Sequence, residues 1–342
     1  MNGLTLVLVV LLLVLFSGCA NVEKQIEPTK QPLNDSNKEI ITGPQDSLDE
    51  NKEIKETTPT SAPEQTSNKL EGWVKEERVR IGGVSSCTII KSNEYWMYFT
   101  GNGIELAKSS DGLNFAYAGT VVNVKDISGL DMVTNPTVFG TKDGKYRVLF
   151  EGSKMLPEKN DRKVYSAISP DGLTWTVEEG VRFQDAGDGK PGELFTSVPD
   201  TIRLEDGRLR MYYTRGATSA TALSIDEGLT WTKENNLKLR NIAIDPDIVL
   251  LDNNTYKLFF STFENEFGTG EQWITSASST DGINFVLDEG KLIEPSTPGG
   301  LVTDPDVIKV NGDYRMYYSE FKKSEQELYS HEPQIMSALS SG

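Results

Sequence analysis

A short aromatic and β-rich pattern that occurs five times between residues 95 and 319 constrains the fold of this chain most strongly. Four of the copies follow a turn that contains Gly or Asn, so each copy is predicted to be the second strand of a hairpin. The copies are Tyr95-Trp-Met-Tyr-Phe-Thr100, Tyr146-Arg-Val-Leu-Phe-Glu151, Leu209-Arg-Met-Tyr-Tyr-Thr214, Tyr256-Lys-Leu-Phe-Phe-Ser261 and Tyr314-Arg-Met-Tyr-Tyr-Ser319.

Other features recur on both sides of this pattern. Upstream lies a short apolar run that is led by Pro136, Pro199, Pro246 and Pro305 in four copies and by Ser86 in the first. Downstream, a third strand ends in a Ser-x-Asp turn at Ser109, Ser169, Ser224 and Ser279, and a fourth strand follows, for example over residues 176–183. Four strands in roughly 50 to 60 residues is the period of β-propeller blades.

The last repeat is completed by the first residues of the domain. The chain ends at Gly342 without a fourth strand, whereas Trp73 to Ile81 matches the fourth strands and has no repeat of its own. Pairing this segment with residues 337–339 would close the ring and remove exposed sheet edges. Residues 70–342 are therefore predicted to be an all-β, five-bladed propeller of four-stranded antiparallel blades.

The start of the chain indicates export. Residues 1–18 carry no charged side chain, and the apolar run from Leu4 to Phe16 would span roughly 20 Å as a helix, too short to cross a membrane. The run is typical of a signal peptide. Phe16-Ser-Gly-Cys19 resembles a bacterial lipobox, which implies removal of residues 1–18 and a lipid on Cys19; the alternative is an uncleaved anchor. Either interpretation predicts an extracytoplasmic protein that meets the membrane only through its anchor.

The amino-acid composition predicts a flexible tether, and the net charge limits the kinds of partner that the protein can bind. Residues 19–69 contain no aromatic side chain and are predicted to form a disordered tether. The net charge of −17 argues against nucleic acid as a partner and suits a cation or a neutral ligand. With Cys19 acylated, Cys87 has no partner, so neither a disulfide nor a cysteine zinc site is expected. We expect a monomer.

Carboxylates at the starts of the first strands are the strongest chemical signal. In a propeller these starts surround the axis, and residues two apart on a strand face the same way. Five aspartates are therefore expected to converge there, and such a group needs raised pKa values or a cation. They are Asp200, Asp245, Asp247, Asp304 and Asp306, of which the last four are the predicted ligands of Ca²⁺. The alternative is that they cap strands or bind the backbone of a neighbouring blade.

Other polar residues are expected around the same axis. Asp131, Asn135 and Glu193 lie at or before first strands, Glu151, Arg215 and Glu320 follow second strands, and Trp273 begins a third strand. By contrast, Arg147, Arg210 and Arg315 recur at one position of the repeat and are predicted to be structural.

The repeats resemble the arabinanase, xylosidase and invertase superfamily of five-bladed glycosidases, and the Ser-x-Asp turns resemble the Asp boxes of sialidases. The resemblance implies three catalytic carboxyls. They are a general-base or nucleophile Asp before the proline of the first blade, an Asp after the proline of the second that tunes a pKa, and a general-acid Glu two residues before the proline of the third. Here those positions hold Ser85, Thr137 and Ser197. None of these side chains can do the acid–base work of hydrolysis.

Two functional hypotheses follow. In the first, the protein binds and hydrolyses a glycan through Asp245, Asp304 and Asp306, with Glu193 or Glu151 as a further catalytic candidate. Substrate-binding residues would then be Asp131, Asn135, Asp200, Arg215, Trp273 and Glu320. In the second, a non-catalytic propeller binds a glycan or protein partner and holds a cation near the axis.

Overall fold

Five four-stranded antiparallel sheets form the blades of a propeller. The structure is a computed structural model that describes residues 72–156, 159–185, 196–265, 270–322 and 333–340. Within these residues the only helical element is a 3-10 turn at Val124–Asp126, and none of their helices is long and apolar enough to cross a membrane. The predicted all-β, five-bladed fold is confirmed.

The blades are numbered here in chain order. Blade 1 contains β2 (Val84–Lys91), β3 (Glu94–Thr100), β4 (Gly103–Ser109) and β5 (Ala116–Asn123), and blade 2 contains β6 (Met132–Gly140), β7 (Tyr146–Leu156), β8 (Lys159–Ser169) and β9 (Thr176–Val177). Blade 3 contains β10 (Ser197–Arg203), β11 (Leu209–Arg215), β12 (Thr218–Ser224) and β13 (Thr232–Asn236). Blade 4 contains β14 (Ile244–Leu250), β15 (Tyr256–Phe263), β16 (Gln272–Ser279) and β17 (Val286–Leu287), and blade 5 contains β18 (Leu301–Val310), β19 (Asp313–Phe321), β20 (Gln334–Ser340) and β1 (Val74–Gly82).

The fourth strand of blade 2 is shorter than the predicted span of residues 176–183. Regular pairing ends at Val177, although the Glu178 N–H still donates to the Ser166 carbonyl at 2.9 Å, and the chain pairs with the third strand again at a bridge between Phe183 and Val164. Gly180 adopts φ 86° between these two contacts, so the backbone turns away from the sheet and then returns.

The core lies between neighbouring blades. Aromatic side chains in the middle of the second strands are completely buried, among them Tyr98, Phe150 and Phe259. Tyr98 of blade 1 belongs to the same apolar cluster as Val138 and Val148 of blade 2. The repeated aromatic pattern therefore supplies the contacts that hold each blade to the next.

The N-terminal strand closes the ring, as predicted. Val74 pairs with Leu339 and Glu76 with Ser337 in the outermost ladder of blade 5. The same strand contacts the blades on both sides: Trp73 packs edge-on against Phe259 of blade 4, and Arg80 donates to the Leu113 carbonyl of blade 1 at 2.9 Å.

A repeated polar contact joins three of the blades to the Asp turn of the next blade. Tyr98, Tyr212 and Tyr317 donate to the carbonyls of Gly172, Gly282 and Gly112, at 2.9, 2.6 and 2.8 Å. The turn itself is held by its aspartate, which accepts two backbone N–H groups at 2.8 Å in the case of Asp111.

The recurring arginines are structural, as predicted. Each forms a two-pronged ion pair with a Glu on or directly after the fourth strand of its own blade, as Arg315 does with Glu76 at 2.9 and 3.0 Å. Arg147 and Arg210 form the same pair with Glu178 and Glu234.

Loss of the closing strand should unfold the propeller. Deleting residues 72–82 removes the outer ladder of blade 5 and the contacts with blades 4 and 1, so we expect no cooperative thermal transition by circular dichroism. Trp73→Ala should lower the free energy of unfolding by about 3 kcal/mol, because the ring packs on Phe259. Val74→Ala is the control, since Val74 is 68% exposed. A deletion that still melts cooperatively would contradict the closure.

Candidate functional site

Every first strand begins with a β-bulge beside the propeller axis. The residue before the proline, or before Ser86 in blade 1, adopts a left-handed backbone, and the strand register shifts by one residue at that point. The five residues are Ser85, Asn135, Val198, Asp245 and Asp304, with φ between 44° and 54°. We call these the bulge positions, and the residues after the prolines (after Ser86 in blade 1) the ring positions.

Four of the five aspartates line one cavity, as expected, and Asp245 does not. A bulge interrupts the alternation of a strand, so residues two apart across it need not face the same way. The cavity on the axis is lined by Asp200, Asp247, Asp304 and Asp306, whereas Asp245 is buried outside its lining. The volume of this cavity, which we call the mouth, is about 30 Å³, enough for one or two water molecules.

Ring-position side chains bond each blade to the next. Asp306 of blade 5 accepts the Thr88 N–H of blade 1 at 3.2 Å and the Thr88 hydroxyl at 2.7 Å. Asp247 of blade 4 accepts the Val307 N–H of blade 5 at 3.3 Å. These contacts match the alternative that the aspartates bind a neighbouring backbone.

The ring continues through blades 1 to 3. Asp200 accepts the Ile248 N–H of blade 4 at 2.9 Å and the Thr137 hydroxyl of blade 2 at 3.0 Å. In blade 1 the sulfur of Cys87 occupies the ring position and accepts the Val138 N–H at 3.2 Å. Burial raises the pKa of the Cys87 thiol, so this cysteine is a packed hydrogen-bonding group rather than a nucleophile.

Burial also sets the electrostatics of the ring. It raises the pKa of Asp200 to about 6, although the N–H of Ile248 favours the ionised form. Burial, and then the charges of Asp200 and Asp306, raise the pKa of Asp247 well above its usual range. Burial raises the pKa of Asp306 as well. The ring therefore holds protons at a higher pH than ordinary aspartates do.

Asp245 and Asp304 form a second acidic pair at the bulge positions. Burial, and then the neighbouring Asp304 carboxylate, raise the pKa of Asp245. Burial also raises the pKa of Asp304, and the charge of Glu151 adds to the effect. The Asp245 backbone N–H donates to the Thr214 hydroxyl of blade 3 at 2.8 Å.

The predicted calcium site is not formed by the described residues. Among them, no three acidic, cysteine or histidine side chains are grouped closely enough to hold a metal ion. Asp245 is buried outside the lining of the mouth, while Asp247 and Asp306 use carboxylate oxygens to accept backbone N–H groups.

Glu151 interrupts the repeat beside the mouth. The other second strands have Thr or Ser at its position: Thr100, Thr214, Ser261 and Ser319. Glu151 is 2% exposed and forms an ion pair with Arg162 at 3.1 Å. It also accepts a hydrogen bond from the Asn135 amide at 2.8 Å and contacts the Ser197 hydroxyl. This carboxylate thus reaches the position where the resemblance implies a catalytic Glu.

Several other predicted ligand-binding residues have structural partners instead. Arg215 pairs with the buried Asp185 at 2.8 Å, and Glu320, 2% exposed, accepts the Ser296 N–H at 2.6 Å. Trp273 is only 7% exposed, and the cations of Arg240 and Lys291 lie 5.3 and 4.7 Å from its ring. Its burial argues against stacking on a sugar.

Of the remaining predicted functional residues, two lie in the described part of the chain and two lie outside it. Asp131 is exposed at the start of blade 2, and Asn135 lines the mouth. Glu193 and Cys19 lie outside the described residues. The sequence did not predict Arg162 as the partner of Glu151 or Asp185 as the partner of Arg215, because neither residue is part of the repeated motifs. For Arg162, the signal available in the sequence was the unusual residue at Glu151.

Comparisons with solved structures identify the same fold in carbohydrate-active enzymes. A thermostable family-43 glycoside hydrolase is 11% identical with a TM-score of 0.60, over 77% of this chain and 91% of that one. A family-43 β-1,3-galactosidase is 13% identical with a TM-score of 0.61, over 77% and 94%. An endo-arabinase from Bacteroides thetaiotaomicron is 14% identical with a TM-score of 0.56, over 78% and 98%. No family model matches the sequence, and no curated protein is similar to it. The resemblance to arabinanase and xylosidase propellers is confirmed for the fold.

The buried carboxyls predict a stability maximum in mildly acidic solution. A raised pKa means that the folded state binds the proton more tightly, so the contribution of Asp200 is complete below about pH 4 and is lost as the pH rises through about 6. Backbone N–H groups lower the pKa of the turn residue Asp171 to about 2, so its contribution is lost only as the pH falls below about 4. The melting temperature should therefore rise from pH 7.5 to 5 and fall below pH 4.

A substitution at Asp200 distinguishes the rise in melting temperature from pH 7.5 to 5 from the fall below pH 4. Asp200→Asn should reduce the change in melting temperature between pH 7.5 and 5, because Asn cannot ionise but can still accept the Ile248 N–H. The other buried aspartates, such as Asp247, keep the rest of that change, and the decrease below pH 4 should remain. Glu205→Gln, at an exposed carboxyl, should keep the wild-type profile. A melting temperature that does not change between pH 5 and 7.5 in the wild type would contradict this account.

Proposed function

We propose that this chain is a glycan-binding propeller, held at the outer face of a membrane by a lipid on Cys19, that does not hydrolyse glycans by the reaction of arabinanases and xylosidases. One observation carries the proposal: the positions that need carboxyls for that reaction hold Ser85, Thr137 and Ser197, and their neighbours bind them into the structure.

These three positions are occupied by structural contacts. The Ser85 N–H donates to the Ser319 hydroxyl at 2.9 Å, and the Thr137 hydroxyl donates to Asp200 at 3.0 Å. The Ser197 hydroxyl donates to Glu151. Hydrolysis needs one carboxyl to protonate the leaving oxygen and a second to activate water or attack carbon. Glu151 does not fill the first role, because both of its carboxylate oxygens are already bound by Arg162, Asn135 and Ser197.

Glycan binding is supported by the fold and by the acceptors at the mouth. The similar structures include a galactosidase and an arabinase, and both act on neutral sugars. Asn135, Asp247 and Asp304 line the mouth and offer oxygen atoms to sugar hydroxyl groups. The charge of −17 suits a neutral glycan better than an acidic one.

One observation favours hydrolysis as the second candidate. Asp245 and Asp304 have raised pKa values beside one another, and two carboxyls that share a site in this way can serve as acid and base. In that case Asp245, Asp304 and Asp306 would form the catalytic centre.

A binding and hydrolysis screen on residues 20–342 decides between these functions. We expect retention of at least one of arabinan, xylan and β-1,3-galactan in affinity electrophoresis, with no release of reducing sugar after prolonged incubation. Release that Asp245→Asn abolishes would establish hydrolysis. Retention of none of the polysaccharides would refute glycan binding.

Lipid attachment has a separate test. The wild-type protein, expressed in a bacterium that processes lipoproteins, should partition into the detergent phase, whereas Cys19→Ala should partition into water because it cannot accept diacylglycerol. Cys87→Ala is the matched control and should partition like the wild type. A Cys19→Ala protein that stays in detergent would contradict the anchor.

A further inference from the structure

Val198 is the one bulge residue whose branched side chain disfavours the left-handed backbone conformation that it adopts. The other four bulge residues are Ser, Asn and two Asp; Asn and Asp tolerate a left-handed conformation because their short polar side chains can bond locally. Val198 adopts φ 44°, which is a genuine outlier for a β-branched residue. Strain of this kind persists where the surroundings impose it, and it concentrates at functional sites.

Core packing does not account for the valine. In the described part of the chain, the apolar clusters between blades do not include Val198. Its side chain is half-buried and lines the mouth together with Pro199. At the bulge position, the strained residue therefore adds apolar surface to the prolines that line the mouth, whereas the other blades have polar side chains at this position.

The size of the mouth limits what can enter it. A volume of about 30 Å³ is too small for a sugar ring but holds two atoms of about the size of water. The exocyclic hydroxymethyl arm of a hexose has one carbon and one oxygen. Val198 offers a surface for the carbon, and Asp247, Asp304 and Asn135 offer acceptors for the hydroxyl.

We propose that Val198 is a specificity-determining residue that contacts the hydroxymethyl carbon of one bound sugar and so favours hexoses over pentopyranoses. This inference rests on the proposed glycan binding and adds the sugar class to it. A contact with one extra carbon in an apolar site gives a discrimination of about 10-fold or more.

Matched ligands test the preference on residues 20–342. Methyl β-D-galactopyranoside and methyl α-L-arabinopyranoside differ only in the hydroxymethyl group, as do methyl β-D-glucopyranoside and methyl β-D-xylopyranoside. Ligand-observed NMR titrations should show that the wild type binds one hexoside at least about 10-fold more tightly than its pentoside.

Val198→Asn should change stability and specificity in opposite directions. Relief of the strain should raise the melting temperature by about 2–4 °C, while loss of the apolar contact should reduce the hexoside preference to less than about 3-fold. Arg78→Asn is the control: it replaces another left-handed residue, φ 76° on the exposed part of β1, and should leave the preference unchanged.

The outcomes separate the two proposals. Equal binding of hexoside and pentoside by the wild type, or a Val198→Asn protein with the wild-type preference, overturns the role of Val198 and leaves glycan binding standing. A Val198→Asn protein that melts no higher than the wild type overturns the strain argument and with it this inference. If none of the glycosides and none of the polysaccharides binds, glycan binding fails and the inference fails with it.

Discussion

The first strands of a propeller belong to different sheets, so their backbone groups beside the axis have no ladder partners there. In this protein the ring-position side chain supplies the missing bond to the next blade in four of the five blades, through carboxylates at Asp200, Asp247 and Asp306 and a sulfur at Cys87. The electrostatics of the mouth follow from that requirement. Carboxylates placed to accept buried N–H groups are themselves buried and lie close to one another, so their pKa values rise.

The repeat made most of the fold predictable. Recurrence of one aromatic pattern indicated five blades, the unmatched segment at Trp73 indicated the closure, and recurrence itself marked arginines such as Arg315 as structural. The same reasoning held for Asp304 and Asp306, which both line the mouth, and failed for Asp245 alone. No residue type announces these bulges, since Ser, Asn, Val and Asp all occupy them. The calcium site was predicted on the expectation that Asp245 faces the axis as well.

Departures from the repeat carry the information about function. Glu151 stands where the other blades have Thr or Ser, and it binds Asn135 and Arg162. Arg162 is not part of the repeated sequence motifs. Val198 stands where the other blades have a polar residue and strains its own backbone. A repeat protein offers an internal comparison at every position, so such exceptions can be recognised without any relative. The partner of an exception, however, is set by three-dimensional proximity and not by sequence.

The strand that completes the ring is also the strand through which the preceding chain joins the propeller. A pulling force on the chain ahead of Gly72 therefore acts first on β1, which lies at the outer edge of blade 5 with only one neighbouring strand. Trp73 against Phe259 and Glu76 against Arg315 are the first contacts to bear the load. Once they yield, blade 5 loses its outer strand and the contacts of that strand with blades 4 and 1 are lost with it. A propeller attached at this end would resist a pull up to one threshold and then open in a single mechanical event.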